Sequence, residues 1–219
     1  MRFIVLGAAG HIGSAVSRSL SKPLGGHNVS AWPRSDYDVI KKFGRATMPS
    51  SKCVDAVIYC VGHCPSGGFP DAVSQPLSQY SPIRLQQEIA AHITGPFNVF
   101  QEFLPAMRDG GHLVFMSSAI TRILQMSLAA RPPIHPYPHC AAIEAENALI
   151  EGMRADPETV ARGIKIHKIV PPAIIDSPFH RGTSEPKPPV TVTTDEVVLA
   201  IMKSLLALRH EDVLMLPQT

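Results

Sequence analysis

The sequence predicts an α/β fold, a doubly wound parallel sheet in a single domain over residues 1–219. Three observations lead to it. The chain opens on a short apolar run, Phe3-Ile4-Val5-Leu6, that passes directly into Gly7-Ala8-Ala9-Gly10-His11-Ile12-Gly13. Further short apolar runs then alternate with helical periodicities, the order that builds a parallel sheet covered by helices. A length of 219 residues with 45% hydrophobic composition suits one packed unit.

The elements follow in order. Phe3 to Leu6 reads as a strand buried on both faces. Residues 14–20 read as a helix, with Ile12, Ala15, Val16 and Leu20 along one stripe. A second strand is expected at residues 27–32, closed by Pro33, and a third at 54–61, closed by Gly62. Residues 83–107 turn helical: Ile83, Ile89, Ile93, Phe97, Phe100 and Leu104 recur near helical spacing, and Gly95-Pro96 should kink the helix. A strand at 112–116 precedes a helix at 141–153, with Ala142, Leu149 and Met153 on one side and glutamates on another. Residues 164–170 form a strand stopped by Pro171-Pro172. Thr194 reads as the N-cap of a last helix that continues over 197–208, and residues 213–216 form a short closing strand.

Composition excludes several classes. Charged residues are only 17% of the chain and the net charge is +2, so no electrostatic footprint points to nucleic acid or an anionic membrane. No apolar run reaches the roughly 18 residues of a membrane span. Cys53, Cys60, Cys64 and Cys140 contain no Cys-x-x-Cys pair and read as free thiols in a reducing, cytoplasmic setting. The 21 prolines are about twice the average share. They cluster at 132–138 and again from Pro171 onward, each time beyond the C-terminal end of a predicted strand. Ligands bind at that edge in open α/β sheets. Residues 171–193 show little regular pattern and read as a proline-rich substrate loop or lid.

The glycine pattern has a specific use. Gly7 lets the chain turn out of the strand, Gly10 lets backbone approach a phosphate, and Gly13 lets the helix pack closely. The helix N-terminus then offers N–H groups and a partial positive charge to a pyrophosphate. Gly7, Gly10, His11, Ile12 and Gly13 are therefore the expected dinucleotide contacts. After the second strand stands Ala31-Trp32-Pro33-Arg34-Ser35. Arg34 with Ser35 suits a 2′-phosphate, hence NADP(H), whereas Asp36 nearby would suit the ribose of NAD(H).

At this point the chain resembles the short-chain dehydrogenase/reductase family, in a compact atypical branch, over nearly its whole length. Cys60-Val61-Gly62 resembles the family's Asn-Ala-Gly strand end. His92-Ile93-Thr94-Gly95 resembles its Asn-x-x-Gly helix segment, and Leu113 to Ser118 its serine-bearing strand, with Ser118 at the matching position. Pro171-Pro172 with Asp176-Ser177 is similar to the stretch beside the nicotinamide. The resemblance implies a Rossmann-type fold and an oxidoreductase of carbonyl reductase type. It implies cofactor contacts at Cys60, Val61, Gly62, Pro171 and Ile174, and a homodimer or homotetramer through the helices at 83–107 and 141–153.

The catalytic element departs from the family. The family's Tyr-x-x-x-Lys lowers a phenol pKa, ordinarily near 10, with a neighbouring cation. Here Tyr137 is followed four residues later by Ala141. In a second register, Asn147-Ala148-Leu149-Ile150-Glu151-Gly152 resembles the family's Lys-bearing helix. That register places Asn147 at the Lys, Ile143 at the Tyr, and Tyr137 in a loop before the helix. His92 replaces the family Asn. The implied catalytic set is Ser118, Tyr137, Asn147 and His92, with non-standard chemistry and a small carbonyl substrate. A histidine is a second candidate proton donor. His135, His139 and Cys140 lie close in sequence, but Pro136 and Pro138 oppose helical pairing, so no metal is expected. A non-redox NADP(H)-binding regulatory protein, or an isomerase or cyclase on the same fold, is the alternative function.

Overall fold

The computed structural model describes residues 1–21, 27–34, 38–40, 52–62, 76–126, 137–174, 176 and 191–215. Its centre is a six-stranded parallel sheet. The strands are β1 (Arg2–Leu6), β2 (Asn28–Trp32), β3 (Val54–Tyr59), β4 (Met107–Met116), β5 (Lys165–Val170) and, at the far edge, β8 (Glu211–Leu214). The order across the sheet is β2-β1-β3-β4-β5-β8, with β6 (Ala173–Ile174) and β7 (Thr191–Val192) forming a separate pair. From β1 the chain goes to one side for β2 and returns to the other side for β3. The direction of winding therefore reverses between β1 and β3, where α/β sheets open a crevice for ligands.

The alternation of side chains along β1 explains the double winding. Ile4 and Leu6 join one apolar cluster with Val57, Tyr59, Phe103 and Phe115. Phe3 and Val5 join another with Ile58, Val114, Val197 and Ile201. Successive strand residues point to opposite faces, so a continuous apolar run must be covered twice. Helices α3 (Gly95–Phe103) and α4 (Tyr137–Ala155) contribute to the first cluster, and α1 (His11–Leu20) and α6 (Thr194–Ser204) to the second. Each fully buried side chain of the size of Phe103 or Leu113 contributes about 1.5–3 kcal/mol.

Several elements differ from the sequence expectation. The long helix expected at 83–107 is divided. Helix α2 (Pro82–Ile89) passes into a π-helical turn at Ala90–Thr94, then α3, then a 3-10 turn at Leu104–Ala106. The wide turn relieves the i→i−4 ladder just before Pro96, which has no N–H to offer it. The Tyr59 hydroxyl donates to the Ala91 carbonyl at 2.6 Å and fixes that turn against the end of β3. Phe100 and Phe103 are buried, whereas Phe97 is exposed.

Strand β4 starts at Met107, earlier than expected, and carries a register shift that absorbs the Gly110-Gly111 segment. Helix α4 starts at Tyr137, so Tyr137 is its first residue and not a loop residue. Pro138 then falls in the first turn, where no intrahelical N–H is required. Among the helix's glutamates, Glu146 is fully buried while Glu144 and Glu151 are exposed, so they do not share one environment. Helix α5 (Pro157–Ala161) is capped by Asp156, whose carboxylate accepts from the Glu158 and Thr159 N–H groups. The N-cap of α6 is Thr193 rather than Thr194. Its hydroxyl accepts from the Glu196 N–H, and the Glu196 carboxylate accepts from the Thr193 N–H at 2.7 Å, a reciprocal capping box. Most of the expected lid at 171–193, and Cys64, lie outside the described residues. No described helix is long and apolar enough to cross a membrane.

Candidate active site and cofactor turn

The crevice between β1 and β3 is shaped by the glycine turn. Gly7 has φ +75°, and a Cβ there would lie 2.8 Å from the Cys60 carbonyl oxygen. Its N–H donates to the Trp32 carbonyl at 3.1 Å, and its own carbonyl accepts from the Gly10 N–H at 2.8 Å. A Cβ on Gly13 would strike the Gly7 carbonyl, so α1 packs against the turn only with glycine at that position. Gly10 is the N-cap of α1. As a glycine it offers no side chain to cap the helix, and no acidic residue stands in the first turn. The N–H groups of His11, Ile12 and Gly13 thus head the helix with its dipole directed at the crevice, a donor set that fits an anionic pyrophosphate.

The other expected cofactor residues divide. Cys60, Val61 and Gly62 follow β3 along the same edge of the sheet, and the Cys60 N–H donates to the Leu6 carbonyl at 3.0 Å. Cys60 also packs against the second apolar cluster, and burial pushes its thiol up to about 12, so it is no nucleophile at neutral pH. Arg34 follows β2 with a side chain 80% exposed, held by a loose 3.6 Å ion pair to Asp38. Ser35 and Asp36 lie outside the described residues. The Pro171 carbonyl accepts from the Ala119 N–H at 2.9 Å. Ile174 is buried in the second cluster, so its side chain is a core residue. His11 has a role the sequence did not suggest. Its Nε2 lies 2.7 Å from the Thr194 hydroxyl oxygen, and that hydroxyl reaches the Asp176 carboxylate at 2.8 Å. The link ties the glycine turn to the head of α6.

At the end of β4 the two serines have different partners. The Ser117 hydroxyl donates to the Asn147 side-chain oxygen at 3.0 Å. The Ser118 hydroxyl oxygen accepts from the Ile120 N–H at 3.2 Å. The Ile120 carbonyl in turn receives the Cys140 thiol at 3.7 Å. Ile120 therefore joins Ser118 to the first turn of α4, and Tyr137 is three residues before Cys140 on the same helix face. Tyr137 and Asn147 lie ten residues apart on α4, about 15 Å along its axis. Of the expected catalytic residues, Ser118 is thus linked through Ile120 to the first turn of α4, whereas Asn147, further along the helix, is bonded to Ser117. Ile143, at the alternative tyrosine position, is buried and apolar.

His92 belongs to a third arrangement. It sits in the π-helical turn, and its Nδ1 lies 2.8 Å from the Glu146 carboxylate. Its Nε2 faces the Glu88 carboxylate at 3.7 Å, while His139 Nδ1 lies 2.9 Å from the same Glu88 oxygen. The two imidazole rings meet edge to face with centroids 5.2 Å apart. Burial pushes the Glu146 carboxyl up. The same burial works against a charge on His92, but the bond to Glu146 and the charges of Glu146 and Glu88 hold its pKa above the usual imidazole value. Glu88, Glu146 and Ser117 were not among the residues the sequence singled out. A glutamate four residues before a histidine is the one sequence signal that pairs Glu88 with His92. Cys140 does not join the cluster; its thiol is raised to about 11, by burial first.

No protein-family model matches the chain. No curated protein matches its sequence either. Solved structures do match its fold. The protein lin1944 from Listeria innocua is 21% identical with a TM-score of 0.70, over 97% of this chain and 98% of that one. A short-chain dehydrogenase from Burkholderia cenocepacia, solved in complex with NADP, is 18% identical with a TM-score of 0.67, over 98% of this chain and 88% of that one. An alcohol dehydrogenase from Thermococcus sibiricus, complexed with 5-hydroxy-NADP, is 16% identical with a TM-score of 0.68, over 98% and 95%. The parallel sheet, its switch point and these full-length matches agree: the chain has the short-chain dehydrogenase/reductase fold.

Proposed function

We propose that the chain is an NADP(H)-dependent oxidoreductase of carbonyl reductase type with non-standard catalytic residues. The observation that carries the reading is the uncapped N-terminus of α1, set behind a glycine turn at the reversal point of the sheet. Two of the structural neighbours are NADP or modified-NADP complexes, which supports the same cofactor class. Gly7, Gly10, His11, Ile12 and Gly13 would hold the pyrophosphate, and Arg34, with most of its side chain in solvent, would reach a 2′-phosphate. The cofactor, when bound, supplies the hydride.

The chain's own residues do the rest. The Ser118 hydroxyl accepts one bond and, among the described residues, donates none, so it would donate to a carbonyl oxygen. Tyr137, joined to Ser118 through Ile120 and Cys140, supplies the proton to the developing alkoxide. Asn147 braces the end of β4 through Ser117. With Ala141 four residues after Tyr137 in place of the family lysine, turnover is expected to run mainly toward reduction. Cys53, Cys60 and Cys140 are free thiols, which suits a reducing compartment such as the cytoplasm. Exposed Ile83, Ile89 and Phe97 on α2 and α3 support a homodimer or homotetramer.

The test is a single-turnover measurement. NADPH-loaded protein is mixed with a panel of aldehydes and ketones, and cofactor absorbance is followed. Oxidation with at least one member is expected, slowed by about 10²–10⁴-fold in Tyr137→Phe. NADPH bound but not oxidised by any member would leave a non-redox NADP(H)-binding protein as the reading.

A further inference from the structure

We propose that Glu88, His92 and His139 form a binding site for one zinc-type divalent ion, with Glu146 as a positioning residue behind His92. Glu88 and His92 stand four residues apart where α2 passes into the π-helical turn, and His139 reaches them from the first turn of α4. One ligand atom from each lies within 4.8 Å of the other two. Two atoms bound to one zinc ion at about 2.0–2.2 Å are roughly 3.3–3.7 Å apart at tetrahedral to trigonal angles. The 3.7 Å between His92 Nε2 and Glu88 is of that size.

A second observation points to a ligand. His92 is 7% exposed on its side chain, and its Nε2 is buried without a hydrogen-bond partner. At 3.7 Å the Glu88 oxygen is too far to bond it directly. A dication between Nε2 and the Glu88 carboxylate, with the His92 proton kept on Nδ1, gives this nitrogen a partner and suits the charge of the carboxylate. The Nδ1–Glu146 bond is then the outer carboxylate that fixes the tautomer of a metal-bound histidine and raises its basicity. The carboxylates of Glu88 and Glu146 together balance the charge of the ion.

The donor set selects the kind of ion. Two imidazole nitrogens with one carboxylate favour zinc over the oxygen-seeking magnesium and calcium. Three protein ligands leave a fourth position for solvent. His139, 20% exposed on its side chain, marks the side from which the ion enters. Binding costs His139 its present bond to Glu88 and needs that 2.9 Å contact to widen by a few tenths of an ångström.

The test uses the full chain without a histidine tag, stripped with a chelator and titrated with Zn2+ in calorimetry, with metal content measured in parallel. One equivalent is expected with a Kd tighter than about 1 μM. His139→Ala, the most accessible of the ligands, should weaken binding by at least about 100-fold, and Glu146→Gln by about 10–100-fold. His167→Gln, in a separate buried histidine pair, should leave it unchanged. Circular dichroism checks that each variant folds. Cobalt loading of the unaltered protein, which needs no variant, should give the visible bands of a four-coordinate ion. Less than one equivalent, octahedral cobalt bands, or equal affinity in folded His139→Ala would each overturn the proposal.

Discussion

Acidification should expose a defined energetic cost at His167. The side chain projects from β5, fully buried, with its ring stacked on that of His112 from β4 and its Nε2 3.0 Å from His112 Nδ1. Burial first, then the positive neighbours His112, Arg154, His210 and Lys165, push its pKa down from 6.5 to about 3. Below pH 6.5 the unfolded chain binds a proton at this residue, and the folded chain does not until about pH 3. Stability therefore falls as pH falls through that window, at about 1.4 kcal/mol per pH unit. Between pH 7.5 and pH 5.0 the loss is about 2 kcal/mol, roughly 4–8 °C in Tm for a chain of this size.

His92 and Glu146 act in the opposite sense. Both are raised in the folded state, so each contributes stability that is present on the acid side and lost as pH rises. The clean readout is therefore a difference. In urea unfolding followed by circular dichroism, His167→Gln keeps a hydrogen-bonding group beside His112 but does not titrate. Its loss between the two pH values should be smaller than that of the unaltered protein by about 2 kcal/mol. Equal losses in the two proteins would refute the reasoning.

Two further outcomes follow from the fold. Gly13→Ala forces a Cβ against the Gly7 carbonyl, and should cost about 1–3 kcal/mol in urea unfolding while weakening NADPH by at least about tenfold. Light scattering at micromolar concentration should give a dimer or tetramer mass, and Phe97→Asp should shift it toward the monomer; a monomer mass for the unaltered chain would contradict the proposed assembly.

Much of the architecture was legible because local and global signals agree in it. The run Phe3 to Leu6 followed by spaced glycines can be placed from pattern alone, since both faces of β1 are covered and the turn needs positive φ. The site was legible only in part. Glu146 does not stand out in the sequence from Glu144 and Glu151, and nothing local reveals that it is buried against a histidine 54 residues earlier. Ser117 and Ser118 are adjacent and chemically identical, so only the tertiary partners Asn147 and Ile120 distinguish them. The start of α4 was missed because prolines on both sides of Tyr137 argue for extended chain, whereas Pro138 falls in a first turn that tolerates it.

Calorimetric titration with NADPH and NADH measures the cofactor preference of the glycine turn and Arg34. NADPH should bind at least about tenfold tighter than NADH, roughly 1.4 kcal/mol, with most of that preference lost in Arg34→Ala. Equal affinity for the two cofactors, or no binding of either, would contradict it.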